Sequence, residues 1–549
     1  MPAQTNQGAI WLVAPSWRQR SADLLSGDWF RLAADPGAEL VKRNPVRRVW
    51  RVRRAGAVFF VKEVVTQGLL KRLRCLCCGP PLLQEWRVGT GAQSAGVPVV
   101  AMVACGIRRG WLGRTHSVLI TEAAEGAAAL PHAWRCLGRS AREAAPPRRR
   151  AVARAVARLL ARAHQAGFVH RDGHPGNILV RVSADCAGEA LYVDLYGASF
   201  RTEVAAERAA ANLAPLNLWS RRNTSRSMRL RFLSCYLTHR CGGAPPSREV
   251  LRGWARRISD TSRSHAAALY ARRDRRLKRS GTHFAIIRPD FGGRALVALR
   301  FRNREEFPEP AHPDRSPDAW RTWLNEWREV YAGRSAEQAG AARVCVRAGG
   351  FAVGVARMDK AWTAKRAFAV GHGLRHRDLP CVWPLAALYG SDGPPAGGDL
   401  LLTEMRTDSL PLADVLDSGQ PAVEAVPGIV SRRAVFACLG RLLADMADRG
   451  VIWADPRPQS FLLTWPGGPD AAPRALVRDF RGISFDRRAR PQSTRALRRL
   501  AGAFRSSPGV TPLDLQALVA AWYHRQGRPF PVEDWPECPT MAPGKEQPS

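Results

Sequence analysis

His170-Arg171-Asp172, with Asn177 five residues beyond the aspartate, is a spacing that could carry phosphoryl transfer from a nucleotide. In such chemistry one carboxylate, Asp172, accepts the proton of an attacking hydroxyl. An amide oxygen, that of Asn177, reaches a magnesium ion on the nucleotide phosphates. A second carboxylate must hold the metal from the other side. Asp194 supplies it in Tyr192-Val193-Asp194-Leu195-Tyr196-Gly197, a D-x-x-G pattern that follows a short hydrophobic strand. Each short motif is weakly specific alone. In this order, with a strand between them, they are strongly specific.

These side chains need elements to position them. Pro147 opens a helical segment in which Val152, Val156, Leu159, Leu160 and Ala163 form an apolar stripe, so the helix that delivers the loop is itself anchored in a core. Arg150, Arg154, Arg158 and Arg162 recur on another face and read as a solvated row. Further upstream, Val46–Arg53 and Ala57–Val65 are β-rich runs joined by Arg54-Ala55-Gly56, a hairpin signal. The second run carries Lys62. A lysine on an apolar strand needs a partner, and Glu85 in Leu82-Leu83-Gln84-Glu85-Trp86 is the candidate. Together they would clamp the α- and β-phosphates of ATP. No glycine-rich loop precedes this strand; the basic stretch Lys42–Val49 stands in its place and leaves the phosphate-covering contact unassigned. Leu69–Leu76 mixes leucines with basic residues, as interfacial helices do. It is read here as an ordinary connection packed on the protein.

The motifs resemble those of the Kdo/WaaP lipopolysaccharide kinase family, a branch of the protein-kinase-like fold. His164-Gln165-Ala166-Gly167-Phe168-Val169-His170-Arg171-Asp172 is similar to that family's H-x-A-G-x-x-H-R-D lead-in. Leu119-Ile120-Thr121-Glu122 looks like its hinge strand, and the resemblance implies that Glu122 lies against the nucleotide. Arg229–Leu237 resembles its C-terminal helix. The likeness spans residues 30 to 285. It implies a cytoplasmic, ATP- and Mg2+-dependent kinase acting on a sugar of a lipid-linked saccharide.

The second half of the chain repeats the first. Gly440–Leu463 overlies the first catalytic segment without gaps, and Asp455 meets Asp172 at a shift of 283 residues. The apolar stripe recurs as Val435, Leu439, Leu442, Leu443 and Met446. Leu402-Thr403-Glu404, Pro380, Arg478–Gly482 and His524–Gly527 recur at shifts of 282 to 285, which argues for duplication. The copy has lost groups: Trp453, Ala454 and Ser460 replace His170, Arg171 and Asn177, and Ala367 falls opposite Glu85. Gly350–Val355 offers no lysine, although Arg357 is close. His376-Arg377-Asp378 is a decoy with no asparagine five residues on. The expected fold is therefore α+β, with tandem protein-kinase-like bilobal domains, the first complete and the second pseudokinase-like.

The expected organisation is an irregular N-terminus over 1–25, the complete domain over 26–280, the degenerate one over 281–530, and a disordered tail over 531–549. Within 281–340, Ala285–Arg288 and Ala295–Phe301 read as strands and Trp320–Tyr331 as a helix, so the stretch is either an insertion or linker or the start of the second small lobe with an insertion. Lys and Arg number 84 against 47 acidic residues, a net charge of +37, with 77 of the 84 being arginine. Two explanations stay open: an anionic partner, or a compositional bias towards arginine throughout. Nucleic acid rests on charge alone and ranks last. The twelve cysteines lack paired metal-site spacing and read as reduced thiols. No apolar run is long enough for a transmembrane helix, and no secretion signal is evident. The leading reading is transfer of the ATP γ-phosphate to a sugar hydroxyl of an anionic glycolipid or lipopolysaccharide precursor, in the cytoplasm or peripherally on the inner membrane. Alternatives are a kinase of another hydroxyl, small-molecule or protein, and a nucleotide-binding scaffold at the membrane.

Overall fold

A computed structural model describes residues 3–6, 8–43, 47–54, 56–66, 68–111, 114–139, 145–183, 188–299, 316–332, 343–348, 351–358, 362–390, 398–406, 409–417, 432–465, 472–488, 494–505 and 510–526. The tail from Pro531, Asn44–Val46 within the basic stretch Lys42–Val49, and residues 300–315 lie outside them. The chain forms two compact units, Met1–His265 and Ala266–Ser549. The division falls inside the helix Arg248–Asp274, earlier than the change at 280 that the sequence suggested. The helix carries its pattern through without punctuation, so composition gives no sign of the division.

In the first unit, alternating and apolar runs pair into one antiparallel sheet. Its strands are β1 (Ala3–Asn6), β2 (Ala9–Val13), β3 (Ala38–Arg43), β4 (Arg47–Arg54), β5 (Ala57–Val65), β6 (Met102–Arg109) and β7 (Thr115–Glu122). They lie in the order β1-β2-β6-β7-β5-β4-β3. The N-terminus is thus not irregular as expected. Ala9, Trp11 and Val13 are buried while Ile10 is exposed, the alternation of a half-buried strand. Trp11 pairs with Gly106, where a Cβ would lie 2.7 Å from the indole. A partner that distant in sequence leaves no local signal.

Helices α1 (Ser21–Leu25), α2 (Leu69–Cys78) and α3 (Pro81–Ser94) accompany this sheet. Pro81 opens α3, which buries Leu82, Glu85 and Trp86. The reading of Leu69–Leu76 as packed on the protein is overturned: Leu69, Leu70, Leu73 and Leu76 are all exposed. Cys75 of α2 touches the unit through Thr66 Oγ1 at 3.5 Å.

The remainder of the unit is helical around small sheets. Helices α4 (Leu130–Arg139), α5 (Ala145–Gln165), α6 (Ala206–Asn223), α7 (Arg226–Arg240) and α8 (Arg248–Asp274) surround β8 (Ala128–Ala129), β9 (Phe168–His170), β10 (Ile178–Val182), β11 (Gly188–Tyr192) and β12 (Ala198–Phe200). The small sheets are β11-β10-β8 and β12-β9. In α5 the stripe Val152, Val156, Leu159, Leu160 and Ala163 is buried, and Arg150, Arg154 and Arg162 are exposed. Gly167 ends the turn after α5 with φ +71°, and a Cβ there would lie 2.0 Å from the Arg201 carbonyl oxygen, so only glycine fits.

The second unit holds a six-stranded sheet of β13 (Phe284–Ile287), β14 (Arg294–Ala298), β15 (Arg343–Ala348), β16 (Phe351–Arg357), β17 (Pro384–Tyr389) and β18 (Leu400–Glu404), ordered β13-β14-β17-β18-β16-β15. Sheets β19-β21-β22 (Ser409–Pro411, Phe461–Thr464, Arg474–Val477) and β20-β23 (Val451–Trp453, Ile483–Phe485) complete its β structure among the described residues. Helices Pro317–Ala332, Ala364–His376, Leu412–Asp417, Arg432–Asp448, Arg495–Arg505 and Pro512–Gln526 are the α-helices described. In 281–340 the two expected strands are β13 and β14 of this sheet, and the expected helix is Pro317–Ala332, whose Trp320, Trp323, Leu324 and Trp327 enter the core.

Candidate active site

Lys62 sits on β5, paired in register with Leu119 of β7. Its ammonium group hydrogen-bonds the Glu85 carboxylate of α3 and lies 2.9 Å from Asp194 Oδ1. Three elements far apart in sequence thereby meet at one cation. Glu85 is buried, so an unpaired charge there would be costly and Lys62 is its counter-ion. Asp194 is held further by Arg47 of β4, whose two guanidinium nitrogens each donate to one carboxylate oxygen at 3.1 Å. Burial raises the Asp194 pKa, but Lys62 and Arg47 outweigh it and hold the carboxyl well below the usual range. Asp194 also has φ +55°, a conformation uncommon for a non-glycine residue.

The loop between β9 and β10 carries the other two motif residues. Asp172 is exposed, 3.9 Å from His174 Nε2. Asn177 is buried at the end of a short 3-10 turn, Pro175–Asn177, and its Nδ2 donates to the Asp172 carbonyl at 2.9 Å. That bond uses the amide nitrogen and leaves the amide oxygen as an acceptor. The Asn177 backbone carbonyl accepts from Val193 N at 3.0 Å, which ties the loop to the segment carrying Asp194. Glu122 ends β7; its amide donates to the Ala101 carbonyl at 3.0 Å, and the next amide, Ala123 N, donates to the Val58 carbonyl.

A magnesium ion of the kind used in phosphoryl transfer needs one or two carboxylates and leaves other positions to water and phosphate. Asp194, kept ionised, and the Asn177 amide oxygen form a donor set of that kind. A preformed cage is neither required nor present: the described residues contain no cluster of three His, Cys, Asp or Glu suited to a metal.

Behind the loop runs a buried polar chain. Asn212 of α6 donates through Nδ2 to the His170 carbonyl, so its Oδ1 faces His164 Nε2 at 2.9 Å and accepts. His164 Nδ1 then accepts from the Tyr236 hydroxyl of α7 at 2.7 Å, and Arg240 donates to Tyr236 at 3.1 Å. Burial pushes the His164 pKa down to about 4 despite the Asn212 bond, so the ring is neutral near pH 7. His170 is likewise lowered by burial, and its Nε2 donates to the Val193 carbonyl at 3.3 Å. Sequence reading missed the contributions of Arg47, Asn212 and Tyr236. Arg47 lay within a basic stretch whose role stayed unassigned. Asn212 and Tyr236 lie 48 and 72 residues from His164, with no pattern linking them.

The fold and this cluster define the class: a protein-kinase-like phosphotransferase built on a mixed α/β unit. The lipopolysaccharide kinase (Kdo/WaaP) family model matches residues 46–236. The lipopolysaccharide core heptose(I) kinase WaaP of Pseudomonas aeruginosa is 32% identical over 199 residues, which are 35% of this chain and 70% of that protein. A solved structure of WaaP in complex with acyl carrier protein matches at 27% identity with a TM-score of 0.35, covering 46% of this chain and 96% of that one. The chain belongs to the lipopolysaccharide kinase (Kdo/WaaP) family and is a kinase.

Proposed function

We propose that the first unit transfers the γ-phosphate of ATP to a sugar hydroxyl of a lipopolysaccharide core or its lipid-linked precursor. The observation that carries this reading is the convergence of Lys62, Glu85 and Asp194. Lys62, oriented by Glu85, binds the α- and β-phosphates. The end of β7 at Glu122 borders the base. Asp172, exposed and facing outward, takes the proton from the acceptor hydroxyl. Asn177 and Asp194 would hold magnesium, which when bound neutralises phosphate charge and orients the transferred group. Catalysis in this arrangement is positioning and charge neutralisation. Arg47 supplies the cation that the missing glycine-rich loop left unassigned: it holds Asp194 and stands on the strand that would cover the phosphates.

The same proposal reads the second unit as a degenerate copy. Register supports it: Ala356 pairs with Leu401 on the neighbouring strand, as Lys62 pairs with Leu119. Ala356 and Ala367 therefore stand where Lys62 and Glu85 stand. Both line a cavity of about 300 Å³ together with Asp479. Ser460 closes its 3-10 turn as Asn177 does, and its carbonyl accepts from Arg478 N at 2.8 Å, as that of Asn177 accepts from Val193 N. Asp479 is bound by Arg481, at 2.6 Å, and Asp455 by Arg457, at 2.7 Å, so both remaining carboxylates are engaged by nearby arginines. Two alanines and a serine in place of Lys62, Glu85 and Asn177 remove the clamp and one of the proposed metal ligands, while Arg406 and Arg478 are cations that line the cavity.

Three variants test the assignment. Asp172→Asn should spare nucleotide affinity and lower transfer by about 10²–10⁴-fold. Asp194→Asn should weaken metal-dependent nucleotide binding as well. Asp455→Asn should leave turnover within a few-fold. Calorimetry and phosphate transfer to lipopolysaccharide extracts read all three. Full activity in Asp172→Asn with loss in Asp455→Asn would place the activity in the second unit and refute the assignment.

A further inference from the structure

We propose that α2 and the neighbouring turn at Trp111 dock this protein on the surface of an anionic lipid bilayer. Leu69, Leu73, Leu76 and Leu70 fall within roughly 120° of one another around α2, since each residue advances about 100°. They are 76%, 59%, 65% and 84% exposed. A single exposed leucine needs no explanation, but four on one face of a ten-residue helix do. Cys75, whose sulfur lies 3.5 Å from Thr66 Oγ1, falls on the opposite side of the helix, so the leucine face is directed away from the unit.

Trp111 is a second, separate observation. It is 84% exposed in the turn between β6 and β7, where Gly110 N donates to the Arg114 carbonyl at 2.8 Å. Thr66, which leads into α2, donates its amide to the Thr115 carbonyl at 2.9 Å. The helix and the tryptophan thus stand at the same end of the seven-stranded sheet. Strand register brings Lys42 and Arg43 at the end of β3, Arg48 at the start of β4, and Arg109 and Arg114 beside the turn to that end as well. Of the acidic groups at that end, Glu63 is buried and paired with His116, Trp50 and Arg48, and Asp28 is paired with Arg108 and Arg31. The helix itself carries Lys71, Arg72 and Arg74 and no acidic residue.

These features choose among occupants. A second copy of the chain would bring one basic surface against another. An anionic bilayer complements the charge, takes the leucines into its acyl boundary, and seats an indole at the headgroup level. At about 1.5 Å per residue the helix is far too short to span, so it lies in the plane of the interface. The same end of the sheet carries Arg47, which holds Asp194, so docking turns the catalytic cluster towards an acceptor embedded in lipid. The inference deepens the proposed function but rests on surface residues, so lipid binding decides it whether or not phosphate transfer is seen.

The test uses the full chain with extruded vesicles of phosphatidylcholine alone or of phosphatidylcholine with phosphatidylglycerol. Co-sedimentation is compared with light scattering for oligomeric state and circular dichroism melting for fold. The natural protein should sediment with the phosphatidylglycerol vesicles. The combined variant Leu69→Ser, Leu70→Ser, Leu73→Ser, Leu76→Ser should keep its melting transition and partition at least about 100-fold more weakly, because each leucine leaving water is worth about tenfold. Trp111→Ser alone should weaken partition several-fold. Equal partition by the leucine variant, or no vesicle binding by the natural protein, overturns the proposal. So does a natural protein that is dimeric and a variant that is monomeric, which assigns the leucine face to a second copy.

Discussion

Acidification should release the catalytic loop through His164. In the folded chain this imidazole is buried between Tyr236 and Asn212 with its pKa lowered to about 4, against an ordinary value of 6.5. The unfolded chain therefore binds a proton here over a range where the folded chain does not, and the stability held above about pH 6.5 is lost as pH falls towards 4. That difference corresponds to about 3 kcal/mol in full, of which about 2 kcal/mol is lost by pH 5. Protonation also removes the acceptor that Nδ1 offers the Tyr236 hydroxyl, so the chain from Arg240 to the His170 carbonyl breaks in its middle. Hydrogen exchange read by mass spectrometry, corrected for intrinsic rates, reports α5 and the loop after β9 separately from the second unit. Protection in these peptides should fall by about thirtyfold between pH 7 and pH 5. His164→Asn should start less protected at pH 7 and show a much flatter profile. The reasoning is refuted if natural and variant proteins lose protection in parallel with pH, for then other groups carry the acid response.

Arg47→Ala removes one of two cations on Asp194; the carboxyl's pKa should rise, and the acid limb of nucleotide binding, followed by calorimetry, should move to higher pH. Lys62→Ala should remove measurable Mg-ATP binding and destabilise the first unit, since Glu85 would be left buried without its counter-ion; an unchanged dissociation constant would refute the clamp. Gly167→Ala places a Cβ on the Arg201 carbonyl in a left-handed conformation and should cost about 3 kcal/mol or more, seen as loss of soluble protein or of the melting transition. Tyr236→Phe should keep the fold and raise the His164 pKa little, yet lower kcat more than KM, because only the positioning chain behind the loop is cut.

The sequence alone determined the chemistry on offer and most of the local frame. The spacing of Asp172, Asn177 and Asp194 is a local property, readable because loop and strand lengths between them are short. The stripe of α5 and the hairpin that carries Lys62 follow from periodicity, which burial enforces residue by residue. Tertiary structure decided what depends on distant partners. Arg47 finds Asp194 across 147 residues, and His164 joins Asn212 and Tyr236 through bonds that no pattern announces. The first strands pair with β6, so a segment that looked irregular is part of the sheet. The direction of the α2 leucines is also tertiary. An amphipathic pattern fixes that a helix has an apolar face, but only the packing of the unit against Cys75 sends that face outward.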